Sequence, residues 1–297
     1  MQPLKDSDPE NMDEFDLEYS QAPQGGRYEF GMVISCYNRP RYLRKTLATL
    51  RRSSLENTVI IIVDDGSDST DTLRRIRDFD LPNTPIIKAF RKNKTDCLIH
   101  ENLKFGWDFL LSRFQCTYLT NLDSDAIVLP HWLNQLKSLH ELPKLKSERL
   151  LVTGFNAYQH KIHIEKDHYY EKKRVGGINL FFSASIYKED IRPSLVNLYW
   201  DQRVVNIFEQ EGYKIVCTKP SVIQHIGKEG LWSDATKGSF DFAIDYGNAS
   251  SLAKLFRLLF YRGRRKVFFL IGSVLRKGTI DGPRLPTPDT STKNRES

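Results

Sequence analysis

The chain has 297 residues, of which 40% are hydrophobic and 11% are aromatic. This composition is typical of a globular protein with a substantial core, and the length allows one large domain or two small ones. The net charge of +7 indicates an anionic partner such as nucleotide phosphate, lipid headgroups or nucleic acid, and it does not choose among them.

Residues 1–26 are acidic and polar. They offer little apolar surface to offset the entropy of ordering, so we expect a disordered lead without a signal core. No stretch of the chain reaches the roughly 20 apolar residues that a membrane-spanning helix needs. The four cysteines are scattered without metal-finger spacing, which favours buried, reduced thiols. We therefore expect a cytoplasmic protein.

Short apolar runs alternate with helical segments from residue 28 onward. Strands are predicted at 30–35, 58–63, 86–90 and 117–122, and helices at 40–50, 71–77 and 101–113. Because these strands are apolar on both faces, we predict an α/β fold with a mostly parallel central sheet and helices on both faces. The second half is less regular, with strands predicted at 150–155, 178–183, 213–217 and 222–225 and a helix at 200–211.

Polar motifs follow three of the predicted strands, where ligands bind in parallel sheets. Asp123 and Asp125 come just past one strand, and both carboxylates can turn toward a Mg²⁺ or Mn²⁺ ion that bridges to phosphates. After a neighbouring strand, the carboxylates of Asp64 and Asp65 can accept a hydrogen bond from a nucleobase. Tyr37, after the first strand, can stack on that base. Each motif alone is also typical of an ordinary polar turn.

Together the motifs resemble the ordered signature of family 2 glycosyltransferases of the GT-A fold, over about residues 28–235. The matching segments are Val33–Pro40, Ile62–Ser67 and Leu122–Asp125. The resemblance implies a Rossmann-like domain at 27–245, with a nucleotide-sugar-binding half at 27–126 and an acceptor-binding half at 127–245. It also implies a nucleotide-diphosphate-sugar donor and a divalent metal, Mn²⁺ or Mg²⁺.

The resemblance further implies roles for individual residues. The residues implied for the nucleotide-sugar site are Ser35, Tyr37, Asn38, Asp64, Asp65, Asp123 and Ser124. Asp125 is implied as the main metal ligand, with Asp123 and His225 as further ligands. A histidine that ends an apolar strand is equally consistent with a structural role, so the part played by His225 stays open.

Asp201 falls where this family places its general base, which takes the proton from an acceptor hydroxyl during an inverting transfer. An alternative is that Asp201 only caps the helix that follows it. Gly176, Gly177 and Trp200 resemble the segment that borders the acceptor site, although a simple loop before a strand would look the same.

Beyond residue 246 the chain is basic and amphipathic up to about residue 280, and a polar tail predicted to be disordered follows at 281–297. Cations interleave with large apolar residues over 252–277, a pattern that can lie on an anionic membrane surface. We therefore expect peripheral contact with the inner face of the membrane. The alternative is a helical pair packed on the domain.

The resulting hypothesis is an inverting, metal-dependent glycosyltransferase that acts on a glycan or lipid-linked acceptor in the synthesis of cell-surface polysaccharide. One alternative is transfer to another acceptor such as modified DNA, although the sequence shows no nucleic-acid motif and a nucleic-acid partner is not expected. A second alternative is a nucleotidyltransferase. A third is a non-catalytic glycan-binding relative, which the acidic residues Asp65, Asp123, Asp125 and Asp201 argue against.

Overall fold

The computed structural model describes residues 12–21, 26–94, 98–145, 149–229 and 241–248. Within this part of the chain, no helix is both long and apolar enough to cross a bilayer.

Two sets of predictions fall outside these residues. The basic segment expected to contact a membrane, 252–277, is not described, and neither is the tail at 281–297. Both therefore stay predictions from the sequence.

Twelve strands are present in the described chain: β1 (Phe15–Tyr19), β2 (Arg27–Cys36), β3 (Thr58–Asp64), β4 (Ile86–Arg91), β5 (Gln115–Asn121), β6 (Ala126–Val128), β7 (Leu150–Thr153), β8 (Ile162–Glu165), β9 (Tyr169–Lys172), β10 (Phe181–Ser183), β11 (Lys214–Thr218) and β12 (Ile223–His225). Its helices are α1 (Pro40–Leu50), α2 (Thr70–Arg77), α3 (Ile99–Arg113), α4 (Trp132–His140), the single turn α5 (Ala184–Ile186) and α6 (Trp200–Gln210).

Ten strands form one sheet in the order β1-β4-β3-β2-β5-β10-β7-β11-β9-β8, and β12 pairs with β6 in a small second sheet. The contiguous strands β4, β3, β2 and β5 are parallel to one another. Strands β1 and β10 flank this parallel block and run antiparallel to it. The predicted α/β class with a parallel core is therefore confirmed.

Alternate residues of the central strands belong to two hydrophobic cores, one on each face of the sheet. Met32 and Ile34 of β2 pack with apolar residues of α1, α2 and α4 on one face. Val33, on the opposite side of the same strand, packs with residues of α3 and α6 on the other. Because both faces are covered by helices, β3 at the centre of the parallel block is buried along its whole length and apolar from Val59 to Val63, as expected for a buried parallel strand.

The N-terminal lead departs from the expectation of disorder. Met12–Glu14 form a short 3-10 turn and Phe15–Tyr19 form β1, which pairs antiparallel with β4. The Phe15 ring is buried and stacks on Phe105 with centroids 3.9 Å apart. The expectation of disorder was wrong for these residues. The free edge of β4 supplies backbone hydrogen-bond partners for β1, and the acidic composition of the segment gives no sign of such a partner.

Candidate functional site

The carboxyl ends of three neighbouring parallel strands, β2, β3 and β5, lie side by side, and the polar motifs are gathered there. The chain is held in place at these strand ends by backbone hydrogen bonds. The Asp65 N–H donates to the Cys36 carbonyl at 2.9 Å, and the Leu122 N–H donates to the Val33 carbonyl at 3.0 Å. The structure therefore brings the sequence-predicted nucleotide and metal residues to one edge.

Asp64 is fully buried and closes the turn that follows β3. Its carboxylate accepts the Ser67 backbone N–H at 2.9 Å and the Ser67 hydroxyl at 2.5 Å. Burial raises the pKa of Asp64 despite these hydrogen bonds. Gly66 has a φ of 73°, which glycine adopts without strain. Asp64 thus shapes the turn, which is the structural role that the sequence left open.

Asp65 is the end of a buried network that reaches the N-terminal strand. Its Oδ1 lies 3.1 Å from Arg91 Nε, and its Oδ2 accepts the Leu98 N–H at 2.8 Å. Arg91, 4% exposed, also donates to Glu14 at 2.5 Å and to Asn102 at 3.0 Å. Arg91 is therefore the partner that neutralises Asp65.

The Asn102 amide in turn donates to the Ser35 hydroxyl at 3.3 Å, so Ser35 belongs to the same network.

Tyr37 is half-buried beside the exposed Lys94. The Lys94 ammonium forms hydrogen bonds with the side chains of Asp68 and Tyr37. Both contacts raise the pKa of Lys94, and the contact with Asp68 has the larger effect. The Ser124 carbonyl accepts the Thr46 hydroxyl at 2.8 Å.

We expect Arg91→Met to lower the free energy of unfolding by about 3–5 kcal/mol, because it leaves the Asp65 carboxylate buried without its cation. Chemical denaturation followed by fluorescence measures this loss. The matched control is Arg77→Met at the end of α2, since the Arg77–Glu18 pair is about half exposed. An exposed pair contributes about 0–1 kcal/mol. Equal losses in both variants would contradict the role given to Arg91.

Asp125 contacts two nitrogen groups at once. Its Oδ2 lies 2.7 Å from Arg39 Nη2 and 3.2 Å from His225 Nε2. Burial acts to raise the pKa of Asp125, but the hydrogen bond and charge of His225 and the Arg39 guanidinium outweigh it and hold the pKa below its usual value. Asp125 is thus ionised and shared by two nitrogen groups.

The tautomer of His225 follows from its other contact. Nδ1 lies 3.0 Å from the Asp241 carbonyl, which can only accept, so Nδ1 carries the proton. With a second proton on Nε2, the ring donates a hydrogen bond to Asp125 Oδ2, 3.2 Å away; without that proton, Nε2 is available as a metal ligand. The Asp125–His225 pair therefore suits either a proton or a cation between its two atoms.

Asp123 adds an unsatisfied carboxylate beside this pair. The Asp123 side chain is half-buried, and its Oδ1 is enclosed and has no hydrogen-bond partner among the residues that the structure describes. Burial, reinforced by the charges of Asp125 and Asp201, raises its pKa well above the usual range. The charges of Asp125 and Asp201 therefore both reach Asp123.

A divalent cation fits these donors. Two cis ligands of an octahedral Mg²⁺, with bonds of about 2.1 Å, lie about 3 Å apart, close to the Asp125–His225 separation. Among the described residues, no three His, Cys, Asp or Glu side chains converge as a ready ligand set. Such a cation would therefore complete its shell with water and phosphate oxygens, as Mg²⁺ does at phosphate-binding sites.

Asp201 lies in the first turn of α6, and the residue that precedes this helix is Tyr199. The Asp201 carboxylate accepts the Gln202 N–H at 2.8 Å. Burial raises the pKa of Asp201, although hydrogen bonds from the backbone N–H groups of Gln202 and Gly177 stabilise the charged form. Asp201 is thus not the N-cap residue itself, but it does accept hydrogen bonds from backbone near the helix start.

Gly177 connects Asp201 to the end of β5. The Gly177 carbonyl accepts the Asn121 amide at 2.6 Å, and the next carbonyl, of Ile178, accepts the Asp123 N–H at 3.0 Å. A Cβ on Gly177 would lie 2.6 Å from the Trp200 ring. Trp200 is 3% exposed, so its ring packs on this loop and offers little surface to a ligand.

Three contributions to the site were not found from the sequence. Arg39 turns back over Asp125, Asp241 fixes the tautomer of His225, and Gly227 lies directly against the Arg39–Asp125 pair. Arg39 stands inside the first motif, but no pattern reveals the direction of its side chain. Asp241 is distant in sequence and carried no signal.

Comparison with known proteins supports a family assignment. The model of the family described as "Glycosyl transferase family 2" matches residues 32–184, more than half of the 297 residues. No curated protein matches the chain. The matched range contains the Asp64, Asp65, Asp123 and Asp125 motifs, whereas Asp201 and His225 lie beyond it.

Proposed function

The chain belongs to glycosyl transferase family 2, and from that premise we propose that it moves a sugar from a nucleotide-diphosphate-sugar to an acceptor hydroxyl with a divalent cation. One observation carries the proposal. At the end of β5, the Asp125 carboxylate and His225 Nε2 face each other 3.2 Å apart, beside the enclosed oxygen of Asp123. An acidic metal site would also suit a nucleotidyltransferase, and it is the family membership that favours glycosyl transfer over that alternative.

The nucleoside part of the donor is assigned to the edge formed by β2 and β3. Asp65 offers a carboxylate whose position is fixed by Arg91 and the Leu98 N–H. Tyr37 provides a half-buried aromatic ring. Asn38 orders the loop between them, since its backbone N–H donates to the Ser67 hydroxyl at 2.7 Å and its side-chain amide oxygen accepts the Ser69 N–H at 3.0 Å.

Asp125 and His225 would hold Mn²⁺ or Mg²⁺, which when bound neutralises charge that develops on the leaving diphosphate. The Asp241 carbonyl holds the His225 ring through Nδ1, so that Nε2 faces Asp125. Asp123, with its unsatisfied Oδ1, is assigned to the sugar or ribose hydroxyls of the donor, since a hydroxyl can donate to that oxygen.

Asp201 is assigned as the general base. Its pKa is raised by burial, which brings the carboxylate closer to the pH at which a base works efficiently. The Gly177 and Gln202 N–H groups orient it, and it accepts the proton of the acceptor hydroxyl as that oxygen attacks the anomeric carbon. Direct attack of this kind inverts the configuration of the transferred sugar.

The acceptor is proposed to be a glycan or a lipid-linked sugar. The loop before α6 exposes three large apolar side chains next to Asp201, namely Val196, Leu198 and Tyr199. Tyr199 is 62% exposed and, unlike Trp200, has a ring face that a sugar can stack against. Synthesis of a cell-surface polysaccharide and membrane contact through 252–277 remain proposals from the sequence.

A thermal-shift screen with UDP, GDP and dTDP, each with Mn²⁺, tests the donor assignment. One nucleoside diphosphate should raise the melting temperature, and the gain should fall when Mn²⁺ is chelated. The absence of stabilisation by all three would count against a nucleotide-sugar donor.

Gly227→Ala should weaken Mn²⁺ binding by roughly tenfold or more, because its Cβ would lie 1.9 Å from Asp125 Oδ2. Titration calorimetry with Mn²⁺ measures this affinity. Gly26→Ala is the control, since no heavy atom lies within 4 Å of a Cβ at Gly26. Unchanged Mn²⁺ affinity in a folded Gly227→Ala protein would remove Asp125 from the metal site.

A further inference from the structure

Arg39 has an unusual backbone for its residue type. Both Asn38 (φ 50°) and Arg39 (φ 60°) are in the left-handed region, which an arginine rarely adopts. The contacts of Asn38 with Ser67 and Ser69 fix the loop just before α1. This geometry is maintained at a cost, and its result is to direct the Arg39 side chain toward the end of β5.

The guanidinium of Arg39 occupies the face of Asp125 that a metal would use. Its Nη2 lies 2.7 Å from Asp125 Oδ2, the same oxygen that faces His225 Nε2. The Arg39 guanidinium carbon lies 4.7 Å from the centre of the Tyr42 ring. A Cβ on Gly227 would lie 2.5 Å from Arg39 Nη2, so the glycine leaves room for the pair.

One carboxylate oxygen in this position cannot serve two cations equally well. A metal that binds Oδ2 repels the guanidinium and takes over the charge that Arg39 now neutralises. The Arg39 side chain as a whole is 31% exposed, whereas its Nε and Nη2 are enclosed beside Asp125, so displacement would bring these two atoms into contact with solvent or with a diphosphate. A planar guanidinium released next to a metal-bound diphosphate is well suited to bind phosphate oxygens in a two-pronged contact.

We propose that Arg39 is the resident counter-ion of Asp125, that it competes with the metal for Oδ2, and that on displacement it binds the donor diphosphate. The inference rests on the metal-dependent transferase proposed above. It makes metal and diphosphate bind cooperatively, because the diphosphate provides Arg39 with a new partner when the metal takes the old one.

The test uses Mn²⁺ alone and inorganic pyrophosphate as probes, so it does not depend on the identity of the donor. Arg39→Asn removes the cation and suits the left-handed backbone. We expect it to bind Mn²⁺ roughly tenfold more tightly than the wild-type protein in the absence of pyrophosphate. With Mn²⁺ at saturation, it should bind pyrophosphate roughly tenfold more weakly.

Two further variants complete the design. Arg77→Asn is the matched control, because Arg77 also has one carboxylate partner and lies over an aromatic ring, that of Phe90. The affinities of Arg77→Asn for Mn²⁺ and for pyrophosphate should equal those of the wild type. Arg39→Lys keeps the cation without its planar fork and should show the same two shifts at smaller size, which keeps the proposal testable should Arg39→Asn fail to fold.

The outcomes separate the two proposals. Mn²⁺ binding by the wild type with no tightening in either folded Arg39 variant overturns the inference and leaves the metal site intact. No Mn²⁺ binding by the wild type or by any variant overturns the metal site and the inference together. Mn²⁺ binding by Arg39→Asn alone supports the inference, since the arginine would then block the site.

Discussion

Asp201→Asn is expected to lower kcat by about 10²- to 10⁴-fold, the range that general acid–base catalysis contributes. An asparagine keeps the size of the side chain and can still accept the Gln202 and Gly177 N–H groups. It cannot take the proton of the acceptor hydroxyl. Steady-state kinetics with donor and acceptor measure the effect, and the KM for the donor should remain nearly unchanged.

The pH profile gives the same prediction a second readout. Because burial raises the pKa of Asp201 above that of a free aspartate, its carboxylate becomes active only as the pH rises through that higher value. The acidic limb of kcat against pH should therefore lie above the range of an exposed aspartate in the wild type. It should be absent in Asp201→Asn. Loss of donor binding or of folding in this variant would instead support a purely structural role at the start of α6.

Asp125→Asn is the second change with a large expected effect. It removes the ionised group that faces both Arg39 and His225, so we expect Mn²⁺ affinity to fall by at least about 100-fold and transfer to fall with it. Mn²⁺ titration of the free protein measures the first effect without any need for activity.

Asp68→Asn is the control for Asp125→Asn. Asp68 also pairs with a cation, Lys94, but this pair is exposed. Its loss should leave Mn²⁺ affinity unchanged. Equal Mn²⁺ affinity in the wild type and in Asp125→Asn would place the metal elsewhere.

Much of the parallel core could be predicted because its strands carry strong local signals. The β-branched run of β3 was predicted as 58–63 and is found as Thr58–Asp64, and the helix predicted at 40–50 is α1. Buried strands between amphipathic helices admit few other arrangements. The three motifs could be placed at one edge because the carboxyl ends of neighbouring parallel strands meet there.

The elements that were missed depend on partners rather than on local pattern. Strand β1 exists because β4 offers an open edge, and its acidic residues gave no indication of it. The hairpin of β8 and β9 was missed since β8 alternates apolar and polar residues over only four positions, all of them exposed, which is too short a pattern to stand out.

In the functional site, too, the sequence predicts which residues come together but not the directions of their side chains. The sequence places Asp123 and Asp125 together, but it cannot show that Arg39 bonds one of them and leaves the other unsatisfied. Trp200 was expected to border the acceptor, whereas the structure buries its ring on Gly177 and exposes Tyr199. Such side-chain directions arise from tertiary packing, which single-sequence patterns do not encode.

Release of nucleoside diphosphate from a panel of nucleotide-sugars tests the central claim most directly. With Mn²⁺ present, the protein should release the diphosphate from the sugars of one nucleotide class. The release should stop when the metal is chelated and in the Asp125→Asn variant. Release that continues unchanged under both conditions would contradict the metal-dependent mechanism, and no release from any nucleotide-sugar, even with glycan acceptors added, would contradict the proposed transfer.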